Sequence, residues 1–335
     1  MNYLYYNICL RITIADKIMF TRCSSIKIDS NVEILGDYAS IELPRQFKNA
    51  SDVLGKNVDI SNRSILNFMN RGDAIKIELG YDDDLQTEFE GYITRIGAET
   101  PLVLECEDEM FQLKKEPKIT KFIKSGKLID ILREIIPSKY KIVCNTKYSI
   151  GSWLIKKQNP FEVLEELREK ILIRAFFINP NTLYVGSTVD YKPEKIHKFN
   201  FSENIRRGCD LTFEDKENNP KKVIITSEQK NGKVLNYSTG VTGGDTIEID
   251  MPELTLEDIV FMAHETLKRK HYTGFRGSFD SWCYPRTKAG ESAQLHRPMY
   301  KDRHQDGLYF IEGVSISVNG SDGIKRTNTI TYKLS

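Results

Sequence analysis

A chain of 335 residues can bury a substantial core and form two or three domains. Its 48 Lys and Arg stand against 47 Asp and Glu, a net charge of +1 that excludes a chain-wide polyanion-binding surface and leaves room only for a local basic patch. No apolar run reaches the roughly 18 residues of a membrane span, and the N-terminus lacks the basic segment and uninterrupted apolar stretch of a signal peptide.

Taken in order, the chain opens with Ile8, Leu10, Ile12 and Ile14 alternating as a first strand. Ile26 and Ile28 follow, then Val32 and Ile34, and Tyr38, Ser40, Glu42 and Pro44 carry the alternation toward a break. Over 46–70 the periodicity fades, with short helical turns expected at 52–54 or 65–69. Residues 71–107 are the most legible stretch. Ile75, Ile77, Leu79 and Tyr81 share one face of a strand. Asp82, Asp83 and Asp84 then turn the chain as a solvated tip. Leu85, Phe89 and Ile93 mark a second strand, and Leu102, Leu104 and Cys106 a third. Three strands with tight joints read as an antiparallel meander.

The charged run Lys114-Lys115-Glu116-Pro117-Lys118 is a domain boundary. Beyond it Ser125 is expected to cap a helix over 127–136 that carries Leu128, Ile131, Leu132 and Ile135 on one side. Asn159-Pro160-Phe161-Glu162 is a strong helix start, because Asn accepts first-turn amides, Pro suits the first position and the acid complements the helix dipole. Strands at 172–178 and 182–185 form a hairpin about Asn179-Pro180-Asn181. From Phe199 strand patterning returns at 211–213, 223–227 and 246–249. Thr255 caps a helix running to 271, with Leu256, Ile259, Val260, Ala263 and Leu267 on one face. Residues 274–307 show little periodicity and read as a long loop, a class that is usually functional. Strands at 308–318 and 325–334, joined by Asn319-Gly320-Ser321-Asp322-Gly323, form the clearest hairpin in the chain.

The resulting fold class is α+β, mostly β: two similar small antiparallel β-barrels, 1–114 and 199–335, flanking an α+β insert at 115–198. An internal echo supports the pairing of the outer regions. Gly72-Asp73 followed by Phe89-Glu90-Gly91-Tyr92-Ile93 returns as Gly290-Glu291 followed by Ile311-Glu312-Gly313-Val314, with spacings that differ by four residues.

These same residues carry a resemblance. The Gly72-Asp73 strand, the run Phe89 to Ile93 and the segment Pro101 to Asp108 resemble baseplate hub proteins of contractile phage tails, the late control protein D family. They are also similar to the N-terminal half of type VI secretion spike proteins. Weaker echoes lie at Lys268-Arg269-Lys270, Tyr272, Gly274, Gly277-Ser278, 309–318 and 323–334. The resemblance implies a homotrimer whose two barrels alternate in a pseudo-hexameric ring, adapting a six-fold tail tube to a three-fold central spike. It implies as partners the tube protein, the spike and other baseplate proteins, with DNA passage through the ring but no specific nucleic-acid binding. It implies a place in a virion tail, or an equivalent injection particle, assembled in the bacterial cytoplasm.

The residues themselves present no catalytic constellation. His264-Glu265 lacks the second His four residues on, which is Lys268, and His271 lies about two turns, or roughly 10 Å, along the helix. Gly240-Val241-Thr242-Gly243-Gly244 lacks the Lys-Ser/Thr of a phosphate loop. Cys9, Cys23, Cys106, Cys144, Cys209 and Cys283 form no CxxC pair and are expected as reduced thiols. No cofactor or metal is expected. Trp282, Tyr284, Arg297, Tyr300 and Arg303 interleave aromatics with cations, which suits a protein interface, with Lys301, His296 and His304 among them. A solvated loop, or a nucleic-acid grip, is the alternative use of that composition. For the whole chain the alternatives are a tail-associated cell-wall or polysaccharide hydrolase and a single-stranded nucleic-acid-binding barrel.

Overall fold

Period-two alternation builds the first third of the chain. A computed structural model describes residues 7–44, 53–54, 69–98, 100–146, 149–187, 191–297 and 306–334. Strands β1 (Ile8–Ile14), β2 (Ile18–Phe20), β3 (Ser25–Asn31), β4 (Tyr38–Leu43), β5 (Val53–Leu54), β6 (Ala74–Tyr81), β7 (Asp84–Ile96) and β8 (Leu102–Glu107) precede a short helix α1 (Met110–Lys115). The expected meander is β6-β7-β8. Its first joint is a two-residue turn with Asp82 and Asp83 at positive φ (49° and 65°), the backbone hand that matches strand twist. In β4 the phase is opposite to that read from Tyr38, Ser40 and Glu42: Ala39, Ile41 and Leu43 face inward. The strand Val53–Leu54 replaces one of the expected helical turns, and that at 65–69 lies outside the described residues except for the buried Met69.

The middle of the chain mixes short pairs with helices. It comprises β9 (Ile119–Ile123), β10 (Gly126–Lys127), α2 (Leu128–Ile135), β11 (Lys141–Val143), β12 (Ser149–Ile150), β13 (Trp153–Gln158), α3 (Pro160–Ile171), β14 (Arg174–Asn179) and β15 (Thr182–Gly186). Ser125 does not cap α2. Lys127 holds that place without a side-chain cap, because Gly126 and Lys127 are committed to pairing with β12. Asn159 does cap α3: its side chain accepts the Glu162 amide while the Glu162 carboxylate accepts the Asn159 amide, both at 2.9 Å. The stripe Val163, Leu164, Leu167 and Ile171 is buried, worth about 1.5–3 kcal/mol for each side chain.

The last stretch comprises β16 (Ile196–Asn200), β17 (Asp210–Glu214), β18 (Lys221–Glu228), β19 (Val234–Gly240), β20 (Asp245–Asp250), α4 (Leu256–Lys270), β21 (Gly274–Ser281), β22 (Ser292–His296), β23 (Gly307–Asn319) and β24 (Gly323–Lys333). Thr255 caps α4 through a reciprocal bond with Asp258. Its buried face is Ile259, Met262 and Ala263, while Leu256 is exposed. Over 274–297 the chain is not the irregular loop expected, and 298–305 lie outside the described residues. Residues 274–297 contain β21 and β22, whose glycines (Gly274, Gly277) and polar residues hid the alternation.

One sheet joins the two ends of the chain. Its path runs β17-β21-β24-β23-β3-β4-β8-β7-β6-β1-β2-β5, with β22 on β23 and β16 on β22. Its core mixes Ile12, Ile77 and Ile93 with Phe279, Ile311 and Ile330. A second core combines α1, α2 and α3 with Val223, Ile225, Ile259 and Ala263, so β18, β19, β20 and α4 pack with the middle segment. A third, aromatic seam of Phe176, Tyr184, Tyr191, Phe310 and Tyr332 ties β14 and β15 to β23 and β24.

The echo between the two ends is real in the pairing, but in a different register from the one read in sequence. The Gly72 amide donates to Ile93 O and the Ile93 amide to Asp73 O; the Gly290 amide donates to Ile311 O and the Ile311 amide to Glu291 O. Ala74 then pairs with Tyr92, as Ser292 pairs with Phe310. Both long strands break register just after this point, between Ile93 and Arg95 and between Ile311 and Gly313. The equivalence extends across both halves of the sheet: Ile93, Cys106, Ala39 and Ile28 lie side by side, as do Ile311, Ile330, Gly277 and Leu211. Each half therefore repeats the order β3-β4-β8-β7-β6 as β17-β21-β24-β23-β22. The four-residue discrepancy between the echoed spacings disappears once Ile311 is matched to Ile93 instead of Phe89.

Candidate interface site

The most concentrated polar chemistry lies where the segment after β21 crosses the β6–β7 hairpin. In β24 the inward positions are Ile324, Arg326, Asn328, Ile330 and Tyr332, so strict alternation drives one guanidinium and one amide into the core. In β7 a bulge sets Phe89 opposite Ile77 and Thr87 opposite Glu78, leaving Glu88 as the extra residue. Its carboxylate, only 3% exposed, meets Arg326 Nη2 at 2.7 Å and Arg286 Nη1 at 3.0 Å. Arg326 Nη1 also donates to Thr287 O at 2.8 Å, and Thr287 Oγ1 donates to Asn328 Oδ1. Asn328 Nδ2 donates to Ser281 Oγ at 3.0 Å. Two guanidiniums thus share one carboxylate in a water-poor site, an arrangement that holds only while every partner is present.

Above this cluster the surface is aromatic. Tyr284 donates to Asp84 Oδ2 and stands 5.9 Å from Tyr81, ring to ring. Arg286 reaches Asp84 O at 3.1 Å and lies 4.8 Å above the Tyr284 ring. Gly80 is required here because a Cβ would stand 1.9 Å from Asp84 O. The bond from Tyr284 holds the Asp84 carboxyl below the usual carboxylate range. Partial burial, and then that same bond, push the Tyr284 phenol up.

Of the residues singled out in sequence, Trp282 and Tyr284 fall at this crossing. Trp282 is 47% exposed, and the Arg206 guanidinium lies 4.4 Å from its ring. Arg297 belongs to a separate group at the end of β22: its guanidinium lies 5.0 Å from the Phe201 ring and its amide donates to Asp306 Oδ1 at 3.0 Å. His296 Nδ1 meets the other oxygen of Asp306 at 2.6 Å. Tyr300 and Arg303, with Lys301 and His304, lie outside the described residues. His264 pairs with the Tyr237 hydroxyl at 3.0 Å, and His271 with Lys216 O at 3.1 Å. The sequence reading missed Asp84 as a partner, together with Glu88, Arg286 and Arg326. A usable signal existed: polar residues at the inward positions of the clearest hairpin.

A second polar site lines a cavity of about 140 Å³ bordered by Asp37, Asp108, Glu88, Tyr191, Thr287 and Lys288. Burial pushes the Asp37 carboxyl up to about 6. Burial and the neighbouring Asp37 hold Asp108 well above its ordinary value. The two acids therefore favour sharing a proton over a double negative charge.

No protein-family model and no curated protein matches the sequence. Solved structures do match across nearly the whole chain. A tail protein from Neisseria meningitidis MC58 superposes with a TM-score of 0.66 at 15% identity, covering 97% of each chain. The fold is that of phage tail proteins. The 43 kDa tail protein of prophage MuSo2 from Shewanella oneidensis gives a TM-score of 0.62 at 12% identity, over 97% of this chain and 96% of that one. A type VI secretion component of E. coli, described as similar to the T4 tail proteins gp27 and gp5, gives 0.57 at 9% identity, over all of this chain and 76% of its own. The phage-tail and type VI spike resemblance read in the sequence is thus matched in three dimensions, and so is the mostly β, α+β fold class. Among the described residues no helix is long and apolar enough to cross a membrane.

Proposed function

We propose that this chain is a non-enzymatic hub of a phage tail or related injection machine, acting as a homotrimer. The observation that carries the reading is the repeated half: one strand order, one Gly-acid-Ile hydrogen-bond pair and one bulge, present twice on a single sheet. Three chains with two like halves offer six near-equivalent contacts, which lets a ring meet a six-fold tube on one side and a three-fold spike on the other. In this reading the halves at 1–114 and 199–335 supply the ring, and the middle segment at 115–198, with β18, β19, β20 and α4 packed on it, lies outside. Tube protein, central spike and further baseplate proteins are the partners, and the site of action is the tail of a virion or an equivalent particle assembled in the bacterial cytoplasm. The burial of Arg326, Glu88 and Asn328 between the halves supports a structural role, since it fixes one half against the other instead of presenting reactive groups to a substrate.

Light scattering on the purified chain tests the reading, with a trimer expected and rings expected in negative-stain images. A strict monomer at the highest soluble concentration would overturn it. Clearing of bacterial cell wall by the chain alone in a zymogram would overturn its non-enzymatic part.

A further inference from the structure

A cavity of about 380 Å³ lies where the last turn of α4 meets the outer face of β21, β23 and β24, a size within the roughly 300–1,000 Å³ of small-ligand sites. Strand alternation supplies its floor. Phe275, Ile311 and Ile330 belong to the core of the long sheet, so their neighbours Arg276 and Thr331 face the other way. Glu312 is the residue left over at the register break between Ile311 and Gly313. Four cations line the cavity, Arg174, Arg269, Lys270 and Arg276, and three acids, Glu33, Glu265 and Glu312. Arg174 and Glu33 are bound to each other through Nε and Nη2. Arg269, Lys270 and Arg276 form no ion pair among the described residues. Arg269 Nε and Thr331 Oγ1 are buried with no hydrogen-bond partner among the described residues, a state that calls for water or a ligand.

We infer that this cavity binds one carboxylate carried on an apolar body, either the terminus of a partner peptide or a free apolar acid. Charge selects the ligand. With Arg174 and Glu33 neutralising each other, three cations face two acids, which leaves a place for a single negative charge. Crowding within the cluster agrees with that deficit. Partial burial, and then the guanidiniums of Arg276 and Arg269, push the Lys270 ammonium below its ordinary value. Burial, and then the neighbouring Glu33, push the Glu312 carboxyl up. A phosphate group carries about −1.5 to −2 at neutral pH and would be repelled by Glu312. A carboxylate carries one charge and fits the guanidinium fork with two parallel bonds. The walls select the rest of the molecule. Leu172, Ile249 and Met262 line the cavity beside the cations, and the Arg269 guanidinium lies 5.5 Å from the Tyr332 ring. An apolar wall with a few convergent donors suits a ligand with an apolar body and one polar end. The last turn of a helix favours cations through its dipole, but Arg276 stands on a strand and gains nothing from it.

The test is isothermal titration calorimetry of the full chain at neutral pH and low chloride. The probes are octanoate, an acetylated tripeptide ending in a free leucine carboxylate, the amides of both, and inorganic phosphate. The acid that binds is expected to do so at least about tenfold more tightly than its amide and than phosphate. Arg269→Gln and Arg276→Gln are each expected to weaken it by about tenfold, whereas Glu312→Gln, which removes a competing acid, is expected to tighten it by about threefold. Damage to the fold would weaken binding in all three variants, so the opposite sign of Glu312→Gln reports the charge itself. A tripeptide that outcompetes octanoate identifies the ligand as a chain terminus, and the reverse identifies a free apolar acid. Equal binding of acids and amides, tighter binding of phosphate, or uptake of neither acid at about 10 mM overturns the site. Binding that survives both arginine changes overturns it as well.

Discussion

Replacing Glu88 by Gln removes one charge from the centre of the cluster while keeping its shape. Arg326 is fully buried and Glu88 is 3% exposed, so neither side chain has water to fall back on. Arg286, 18% exposed, can turn partly outward. The substitution leaves the Arg326 guanidinium with Thr287 O, the Cys283 side chain and a neutral amide, none of them charged like the lost carboxylate. Removing one partner of a buried ion pair costs about 3–5 kcal/mol, a large fraction of the roughly 5–15 kcal/mol that holds an ordinary domain. The expected fall in melting temperature is roughly 5–15 °C, read by calorimetry or urea titration. Glu88→Ala with Arg326→Met should cost less than the sum of the two single changes, because the pair is lost together. A Glu88→Gln variant within about 1 kcal/mol of wild type would refute the reasoning, since it would mean that the cluster is hydrated or that the guanidinium finds another partner.

Three further outcomes follow from named contacts. Asp37, with its carboxyl raised from 3.8 to about 6, holds a proton in the folded chain that the unfolded chain has given up. Its contribution to stability is present below about pH 4 and is lost as pH rises through about 6, and Asp37→Asn should remove that part of the pH dependence of urea midpoints. Asn159→Ala removes the reciprocal cap of α3 and should cost about 1 kcal/mol in urea denaturation, whereas Ser125→Ala should cost little because Ser125 caps nothing. Gly72 and Gly290 both adopt positive φ (93° and 89°), so Ala at either should cost about 1–2 kcal/mol. Gly290→Ala should be the worse of the two in thermal melts, since its Cβ meets the ring edges of Tyr191 and Phe176 at 3.2 and 3.3 Å, whereas that of Gly72 meets the movable end of Lys115.

What the sequence made legible was local. The hairpin at Asn319–Gly323, the Asn159 and Thr255 caps and the β6–β7–β8 meander all rest on contacts between near neighbours, whose rules act within a few residues. What it hid depends on long-range pairing. Tyr38, Ser40 and Glu42 looked like a continuing pattern, yet the pairing of β4 with β3 and β8 turns Ala39, Ile41 and Leu43 inward. Glu88 counts as an outward residue by alternation until the bulge opposite Ile77 and Glu78 redirects it. The duplication was visible as shared letters in the wrong register, because its true mark is a hydrogen-bond pattern around Ile93 and Ile311. Trp282 and Tyr284 stood out by residue type, but their partners Arg206 and Asp84 lie far away in the chain.

The β3–β23 junction also bears on how the polypeptide is made. Asp29 and Ser315, which bond across it at 2.7 Å, are separated by 286 residues. At a translation speed of about 5–20 residues per second, the exposed side of β3 emerges from the ribosome roughly a quarter-minute to a minute before the strand that covers it. Throughout that interval a nascent chain carries an unpaired backbone edge, the kind that recruits neighbouring nascent chains. Yield in a host cell should therefore respond to slower initiation, lower temperature or extra chaperone.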